Sequence, residues 1–258
     1  AIHEPDLASL EPLAVDYSNL AHIYLSIDTQ QALEYFKKAW NILKDTAPHS
    51  KATLIALKNI AELRFLSGDY ERTRAAVKRG IELYEEIRPE FAVMEAEHEN
   101  LVELYRDILA IGMYISLHEQ WADEVLELME RGKARFGREQ LGSRMAEKYR
   151  PEDKIEIFYP TPHNVANLTG IDTMTISFFV SSWSVFVVYT HNQMVGAFRS
   201  DIALDQLKEL VLDFRNDLMV SSRRAGEGEA GKTLCNLLLN KIVRNDDNIR
   251  YLYILPDG

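Results

Sequence analysis

The sequence has a single cysteine, Cys235, so the chain cannot form a disulfide bond within itself. Its N-terminal region also lacks the basic start, apolar run and small-residue cleavage site that direct a protein to secretion. A membrane-spanning helix needs roughly 20 apolar residues, and the longest apolar run, around 183–189, is far shorter. These absences predict a protein of the reducing cytoplasm that does not enter a membrane.

Basic residues are outnumbered by acidic ones. The chain has 29 lysines and arginines against 40 aspartates and glutamates, which gives a formal net charge of −11 at pH 7. Such a chain repels phosphate backbones and anionic lipid headgroups, so we expect no direct nucleic-acid partner. With 258 residues, 47% of them hydrophobic, the chain is long enough for two domains with separate cores.

The first half of the chain repeats itself at a fixed period. Three tripeptides recur at spacings of 40 and 41 residues: Asn19-Leu20-Ala21, Asn59-Ile60-Ala61 and Asn100-Leu101-Val102. Apolar residues at helical spacing predict paired helices in each unit, with a turn at Ser67-Gly68-Asp69 in the second. Pro48 and Pro89 are also 41 residues apart, and each is expected to end a pair.

Small residues accompany this period. Ala39 and Gly80 fall where the axes of two helices would have to approach closely. Three helix pairs are the minimum from which stacked repeats build a shared core. The pattern therefore predicts an elongated helical stack for the first half of the chain.

The segments NLAHIY…ALEYFKKAW and NIAELRFLSGDYERTRAAVKRGIEL resemble tetratricopeptide repeats of the longer kind, although Arg64 and Thr73 depart from that pattern. The resemblance implies that the first helix of each pair lines a concave surface that binds peptides. It assigns six polar residues to that surface: Asn19, His22, Asn59, Glu62, Asn100 and Glu103. The same residues also fit solvated positions on helices whose other faces pack, so both interpretations stay open.

A junction at 120–142 joins the repeats to a region of a different kind. It turns basic at Arg131, Lys133, Arg135 and Arg138, and positive charge near a helix C-terminus is favourable for the helix dipole. The segment ELMERGKARFGREQL also resembles the one that joins tetratricopeptide repeats to a caspase-like domain in one protein family. The helix-dipole explanation and the family resemblance are compatible with each other.

After the junction the pattern changes to strands. We predict strands at 154–159, Thr173–Val180, 183–190 and 194–199, the last three joined by connections of hairpin length. Both faces of the middle strands are apolar, so the sheet should be covered on both sides. Helices are predicted at Leu204–Val220 and 232–243, ahead of a final strand at 250–255.

This order of elements, with LCNLLLNKIV followed by YLYILPDG, resembles the beginning of the CHAT domain, a caspase-like module found fused to tetratricopeptide repeats. The expected fold is α + α/β: a TPR-like α-solenoid with a junction helix over 1–142, then the first part of a caspase-like domain over 152–258. The resemblance implies a cysteine endopeptidase of bacterial defence pathways. Its catalytic dyad would lie beyond the last strand, so no catalytic residue is expected in this chain, which should be inactive alone.

Two residues and one motif are of types that could carry chemistry. Cys235 lies in a leucine-rich segment and is expected to be a packed thiol, while His191 is expected in a hairpin turn. Residues 226–233 (GEGEAGKT) fit the phosphate-binding pattern G-x-x-x-x-G-K-T, but a helix precedes them where a strand is required. Glu227 and Glu229 would place negative charge where the phosphates should lie, so no nucleotide is expected. No other cofactor and no metal is expected either.

The final strand raises a question of partners. A strand as apolar as Tyr251–Leu255 would leave its faces and edge unprotected. We expect the sheet to be completed there by polypeptide past Gly258 or by self-association. The alternative to a protease is a non-enzymatic adaptor, with repeats that bind peptide and a degenerate α/β scaffold.

Overall fold

The computed structural model describes residues 10–91, 95–145, 172–200, 202–220, 228–243 and 249–255. This part of the chain is mostly helical and contains a small mixed sheet of four strands, which confirms an α and α/β arrangement at the level of fold class. The chain divides into two compact units, 1–115 and 116–258. The predicted strand at 154–159 lies outside the described residues, and the predicted domain ranges, 1–142 and 152–258, stay predictions.

Helices account for all the described secondary structure of the first unit. Asp28 begins the second helix by accepting hydrogen bonds from the amides of Gln30 and Gln31, at 3.0 and 3.1 Å. Ser50 begins the third by accepting from the amide of Thr53 at 3.2 Å. The helices are α1 (Leu10–Tyr24), α2 (Thr29–Thr46), α3 (Lys51–Leu66), α4 (Tyr70–Phe91) and α5 (Glu95–His118).

Consecutive helices of this unit pack on one another, α1 on α2, α2 on α3 and α3 on α4. Alanines lie at the points of contact. Ala14, Ala39 and Ala56 form one buried cluster, and Ala21 and Ala32 belong to a second. A methyl side chain lets helix axes approach more closely than a larger side chain would. The close approach predicted at Ala39 is confirmed by its complete burial.

The contact between α4 and α5 depends on two stacked rings and a glycine. The rings of Tyr84 and Tyr105 are parallel, with centroids 3.9 Å apart, and both residues are buried. A β-carbon placed on Gly80 would lie 3.2 Å from the Cδ1 atom of Ile108, so a larger residue would require the Ile108 side chain to shift. This confirms the prediction that Gly80 marks a close helix approach.

The prolines behave differently from each other. Helix α2 ends at Thr46, two residues before Pro48, as predicted. Helix α4, however, contains Pro89 and continues to Phe91, so the prediction that Pro89 ends the pair was wrong by two residues. Proline in the last turn of a helix removes one hydrogen bond. Buried Tyr84 and Ile87 hold the preceding turn in place and offset that loss.

Helix α5 ends in a left-handed turn, and α6 (Ala122–Met145) follows at once. Gln120 has a φ of +63°, and the amide of Trp121 donates to the carbonyl of Ser116 at 2.8 Å. This is a hydrogen-bonded helix C-cap in which glycine is the usual residue. The Ser116 hydroxyl also donates to the carboxylate of Glu124 in the first turn of α6, at 2.7 Å.

The sheet of the second unit has the order β3-β2-β1-β4. The strands are β1 (Thr173–Val180), β2 (Val185–His191), β3 (Met194–Ser200) and β4 (Tyr251–Leu255). The first three are antiparallel neighbours, whereas β4 pairs parallel with β1. Asn192 and Gln193, with φ of +47° and +63°, form the two-residue turn between β2 and β3. β2 begins two residues later than predicted because Ser181 and Ser184 hydrogen-bond each other in a turn.

Helices cover both faces of the central strands, as predicted. Met174, Ile176 and Val187 form a cluster on one face with Ile242, and Val185 packs near Leu207. These contacts come from α7 (Leu204–Val220), α8 (Glu229–Leu238) and α9 (Asn240–Val243). Phe179 and Phe186 point to the opposite face, where both are fully buried and where α6 contacts β1, β2 and β3. The helix predicted at 232–243 begins earlier, at Glu229, and is interrupted at Leu239.

Among the helices within the described ranges, none combines the length and apolar character needed to cross a membrane.

We predict that Gly80→Val destabilises the protein by about 1–3 kcal/mol, since the added methyl groups must displace Ile108. Urea unfolding of the wild type and the variant measures the difference. Ile108→Ala in the same background should recover part of the loss, because the two residues share one space. Strictly additive effects of the two substitutions would contradict this packing.

We predict that Glu130→Gln on α6 stabilises the protein at pH 7. Burial raises the pKa of Glu130, and nearby Lys133 opposes that shift only in part. The folded state thus holds the Glu130 proton more tightly than the unfolded state, so stability falls as the pH rises above the ordinary carboxyl value of 4.5. The advantage of the variant should therefore vanish in more acidic buffer. Glu127→Gln, at an exposed position of the same helix, is the control and should show no such pH-dependent gain.

Candidate partner-binding face

The six residues assigned to a peptide-binding surface lie on α1, α3 and α5, the first helix of each predicted pair. On α1, Asn19 and His22 are exposed. The imidazole of His22 lies edge-on to the ring of Phe36 on α2, with centroids 5.1 Å apart. Its position is therefore fixed by an aromatic contact, while the ring nitrogens remain available to a partner.

Asn59 on α3 differs from its counterparts. Its side chain is only 7% exposed, whereas Asn19 and Asn100 are exposed. The Nδ2 atom of Asn59 is buried and has no hydrogen-bond partner among the described residues. An unsatisfied buried donor is unusual in a folded protein and calls for an explanation, such as an ordered water or a ligand carbonyl.

The remaining polar residues are two glutamates and an asparagine. Glu62, one turn after Asn59, is exposed and accepts a hydrogen bond from Lys58 at 2.8 Å. An exposed ion pair of this kind contributes little to stability, so Glu62 can exchange partners at small cost. On α5, Asn100 and Glu103 are both exposed. Amides and carboxylates in these positions can donate to and accept from a peptide backbone.

The structure joins none of these six residues to another by a hydrogen bond or an ion pair within the part of the chain that it describes. Five of them are exposed on their helices, and Asn59 is buried. Their joint contact with a partner stays a prediction.

Sequence reasoning missed an aromatic cluster on the same helices. Tyr35 on α2 stacks on Tyr17 with centroids 6.1 Å apart and also contacts Tyr24, both of them on α1. The ammonium of Lys38 lies 5.5 Å from the centroid of Tyr17 and 5.0 Å from that of Tyr35. The sequence contains one feature that could have predicted this cluster: Tyr17 and Tyr24 are seven residues apart, which places them on one face of α1.

Strand β4 is a second surface on which another segment or chain could pack. All five of its residues are exposed, at fractions between 42% and 57%, although all are apolar or aromatic. β1 pairs with one of its edges, and no other described strand pairs with it. The ammonium of Lys133 on α6 donates to the carbonyl of Leu255 at 3.0 Å, at the end of the strand.

Cys235 and His191 do not hydrogen-bond to each other within the described residues. Cys235 on α8 is exposed, so the expectation of a packed thiol was wrong: the apolar face of α8 that packs on the sheet includes Leu234 and Leu238 instead. His191 is buried at the end of β2, where its Nδ1 atom is 3.1 Å from the carbonyl of Thr173. Cys235 makes no hydrogen bond among the described residues.

The phosphate-binding pattern lies at a helix-to-helix connection. Helix α7 precedes it, and α8 begins at Glu229, three residues ahead of Lys232. A β-carbon on Gly228 would lie 2.2 Å from a carboxylate oxygen of Asp217, so a negative charge lies beside the start of α8. A phosphate would meet that carboxylate, which disfavours the motif as a nucleotide site. No cluster of three metal-ligating side chains is present in the described ranges.

Comparison of the chain with models of known protein families gave no match, and neither did comparison with sequences of characterised proteins.

We predict that Asn59→Leu leaves the free energy of unfolding unchanged or raises it by up to about 1 kcal/mol. The substitution removes a buried donor that has no partner and keeps a similar volume. Thermal and urea unfolding measure the effect, with exposed Asn19→Leu as the matched control. A clear loss of stability with Asn59→Leu would mean that the amide is satisfied within the folded chain.

Proposed function

We propose that this chain is the N-terminal portion of a caspase-like cysteine protease of the repeat-plus-CHAT kind. In this proposal the helix pairs bind a protein partner, and partner binding controls proteolysis. The cytoplasm is the setting, and a bacterial defence response is the process that the family resemblance suggests. The protease dyad lies outside this chain, which is catalytically inactive alone.

The buried, unpaired Nδ2 atom of Asn59 is the observation that carries the partner-binding part of the proposal. Folding leaves one hydrogen-bond donor unsatisfied at the position where the repeat pattern expects contact with a peptide backbone. Asn19 and Asn100, at the matching positions of α1 and α5, are open to solvent. A peptide along these three helices would meet the exposed amides of Asn19 and Asn100 directly, while the Asn59 amide would have to turn outward to join them.

The sheet supports the second part of the proposal. Its parallel pairing of β1 with β4 is a pairing that caspase-like sheets extend with further parallel strands, and β4 has apolar residues on both faces. Burying those residues under further polypeptide, or under another chain, would remove a large apolar surface from water. In the complete enzyme a cysteine thiolate would attack the scissile carbonyl while a histidine accepts and returns the proton.

A non-enzymatic adaptor is the second candidate. The exposed apolar residues of β4 favour it, because they offer a surface for self-association. In that case the repeats bind peptide and the sheet serves as a scaffold or as a surface for self-association.

A peptidase assay on a polypeptide that continues past Gly258 distinguishes the two candidates. The substrate is a proteome-derived peptide library, incubated with and without lysate of the source cells, and mass spectrometry detects cleavage. The protease proposal predicts cleavage that is lost when a cysteine downstream of Gly258 is replaced by alanine. Absence of cleavage under every condition would favour the adaptor.

The repeats are tested in the same assay. Asn19→Ala combined with Asn100→Ala should lower lysate-dependent cleavage about tenfold or more, as expected for the loss of two interface hydrogen bonds. Asn41→Ala is the matched control, because Asn41 is an exposed asparagine on α2, a second helix of its pair. Equal losses for the two variants would remove the support for a peptide face on the first helices.

A further inference from the structure

Helix α1 has a second apolar face that no described element covers. Leu13, Leu20, Ile23 and Ile27, here called the α1 stripe, follow one another at spacings of seven, three and four residues. Their exposed fractions lie between 37% and 71%. Ile27 continues the stripe just past the helix end, since its amide donates to the carbonyl of Tyr24 at 3.0 Å.

The opposite side of α1 already has its packing partners. Ala14 and Ala21 are fully buried in the clusters shared with α2 and α3. The α1 stripe is therefore not needed to hold the helix on its unit. Contiguous exposed aliphatic residues on a folded surface mark interaction sites.

The charge around the α1 stripe is of one sign. Residues 10–36 contain Glu11, Asp16, Asp28 and Glu34 but no lysine or arginine. Asp16 occupies the step of the α1 stripe between Leu13 and Leu20, and it makes no hydrogen bond or ion pair within the described part of the chain.

The nearest basic residues along the chain are already engaged. Lys37 pairs with Glu34 at 2.7 Å, and Lys38 lies over the rings of Tyr17 and Tyr35. They are therefore poorly placed to neutralise Asp16. A partner that covers the α1 stripe must supply positive charge as well as apolar surface.

We propose that the α1 stripe is the docking site for a basic amphipathic helix of another protein. Its apolar residues lie along Leu13, Leu20 and Ile23, and a lysine or arginine lies opposite Asp16. A second copy of this chain fits poorly, because two facing stripes would bury Asp16 of each copy in an interface to which residues 10–36 bring no lysine or arginine. The proposal does not depend on the peptide face: Asn19 lies at the border of the stripe, four residues before Ile23, but the proposed contact is made by the apolar residues and Asp16.

Two labelled peptides test the proposal on the whole 258-residue chain. Both are amphipathic helices of about five turns with leucines at i, i+3, i+4 and i+7. One carries lysines and the other glutamates on its polar face. Fluorescence anisotropy should detect binding of the lysine peptide, weakening as salt is raised, and no binding of the glutamate peptide.

Matched substitutions locate the binding. Leu20→Gln with Ile23→Gln should weaken the lysine peptide about tenfold or more, because interface energy concentrates in buried apolar anchors. Val211→Gln with Leu212→Gln is the control at two exposed aliphatic positions of α7, and it should leave binding unchanged. Equal losses in the two variants, or equal affinity for the two peptides, would overturn the proposal.

Reversing the charge at Asp16 tests the proposed contact with a variant that is expected to fold like the wild type. Asp16→Lys changes no apolar residue and should shift the preference of the chain from the lysine peptide to the glutamate peptide. Retention of the original preference would overturn the predicted pairing at Asp16. Sedimentation velocity tests whether a second copy of the chain occupies the α1 stripe. A wild-type dimer that dissociates in the variant with Leu20→Gln and Ile23→Gln would identify a second copy instead.

Discussion

The described part of the first unit depends on how closely its helices can approach. Alanines at positions 14, 21, 32, 39 and 56 are almost completely buried, and Gly80 leaves room for Ile108. Larger side chains at these points would hold the helices apart, and the stacked rings of Tyr84 and Tyr105 would lose their contact. Small residues at a regular period therefore determine which faces are buried. They also determine which polar residues are left outside.

The second unit satisfies a different constraint, since β1 and β2 have buried side chains on both faces. A sheet of this kind needs cover on each side, and α6 supplies one side while α8 and α9 supply the other. β4 receives neither cover, although its residues are as apolar as those of β1. The contrast between two strands of one sheet supports the proposal that β4 meets further polypeptide.

Much of this architecture could be predicted from local patterns. The bounds of β1 and α7 follow from alternation and helical periodicity, and the turn at Gly68 follows from the need for a positive φ, observed as +77°. Predictions failed where tertiary contacts decide. Pro89 stays within α4 because buried neighbours hold the last turn, and the start of β2 is set by hydrogen bonds between Ser181 and Ser184. The expectation that Cys235 is buried was wrong for the same reason, because packing on the sheet determines which face of α8 is exposed.

The candidate site could be predicted only in part. Periodicity identified the helix positions of Asn19, Asn59 and Asn100, but burial of one and exposure of the other two depends on neighbouring helices. Nothing in the sequence pattern indicates that the amide of Asn59 lacks a hydrogen-bond partner. The apolar residues of α1 suggested packing alone, because a repeat pattern does not distinguish a covered helix face from an open one.

The parallel pairing of β4 with β1 has a consequence for the order of folding. β1, β2 and β3 form from adjacent hairpins, which close quickly, whereas β4 can join only after the whole segment from 181 to 250 has been arranged. The last strand to be added is thus the one with the most exposed apolar surface.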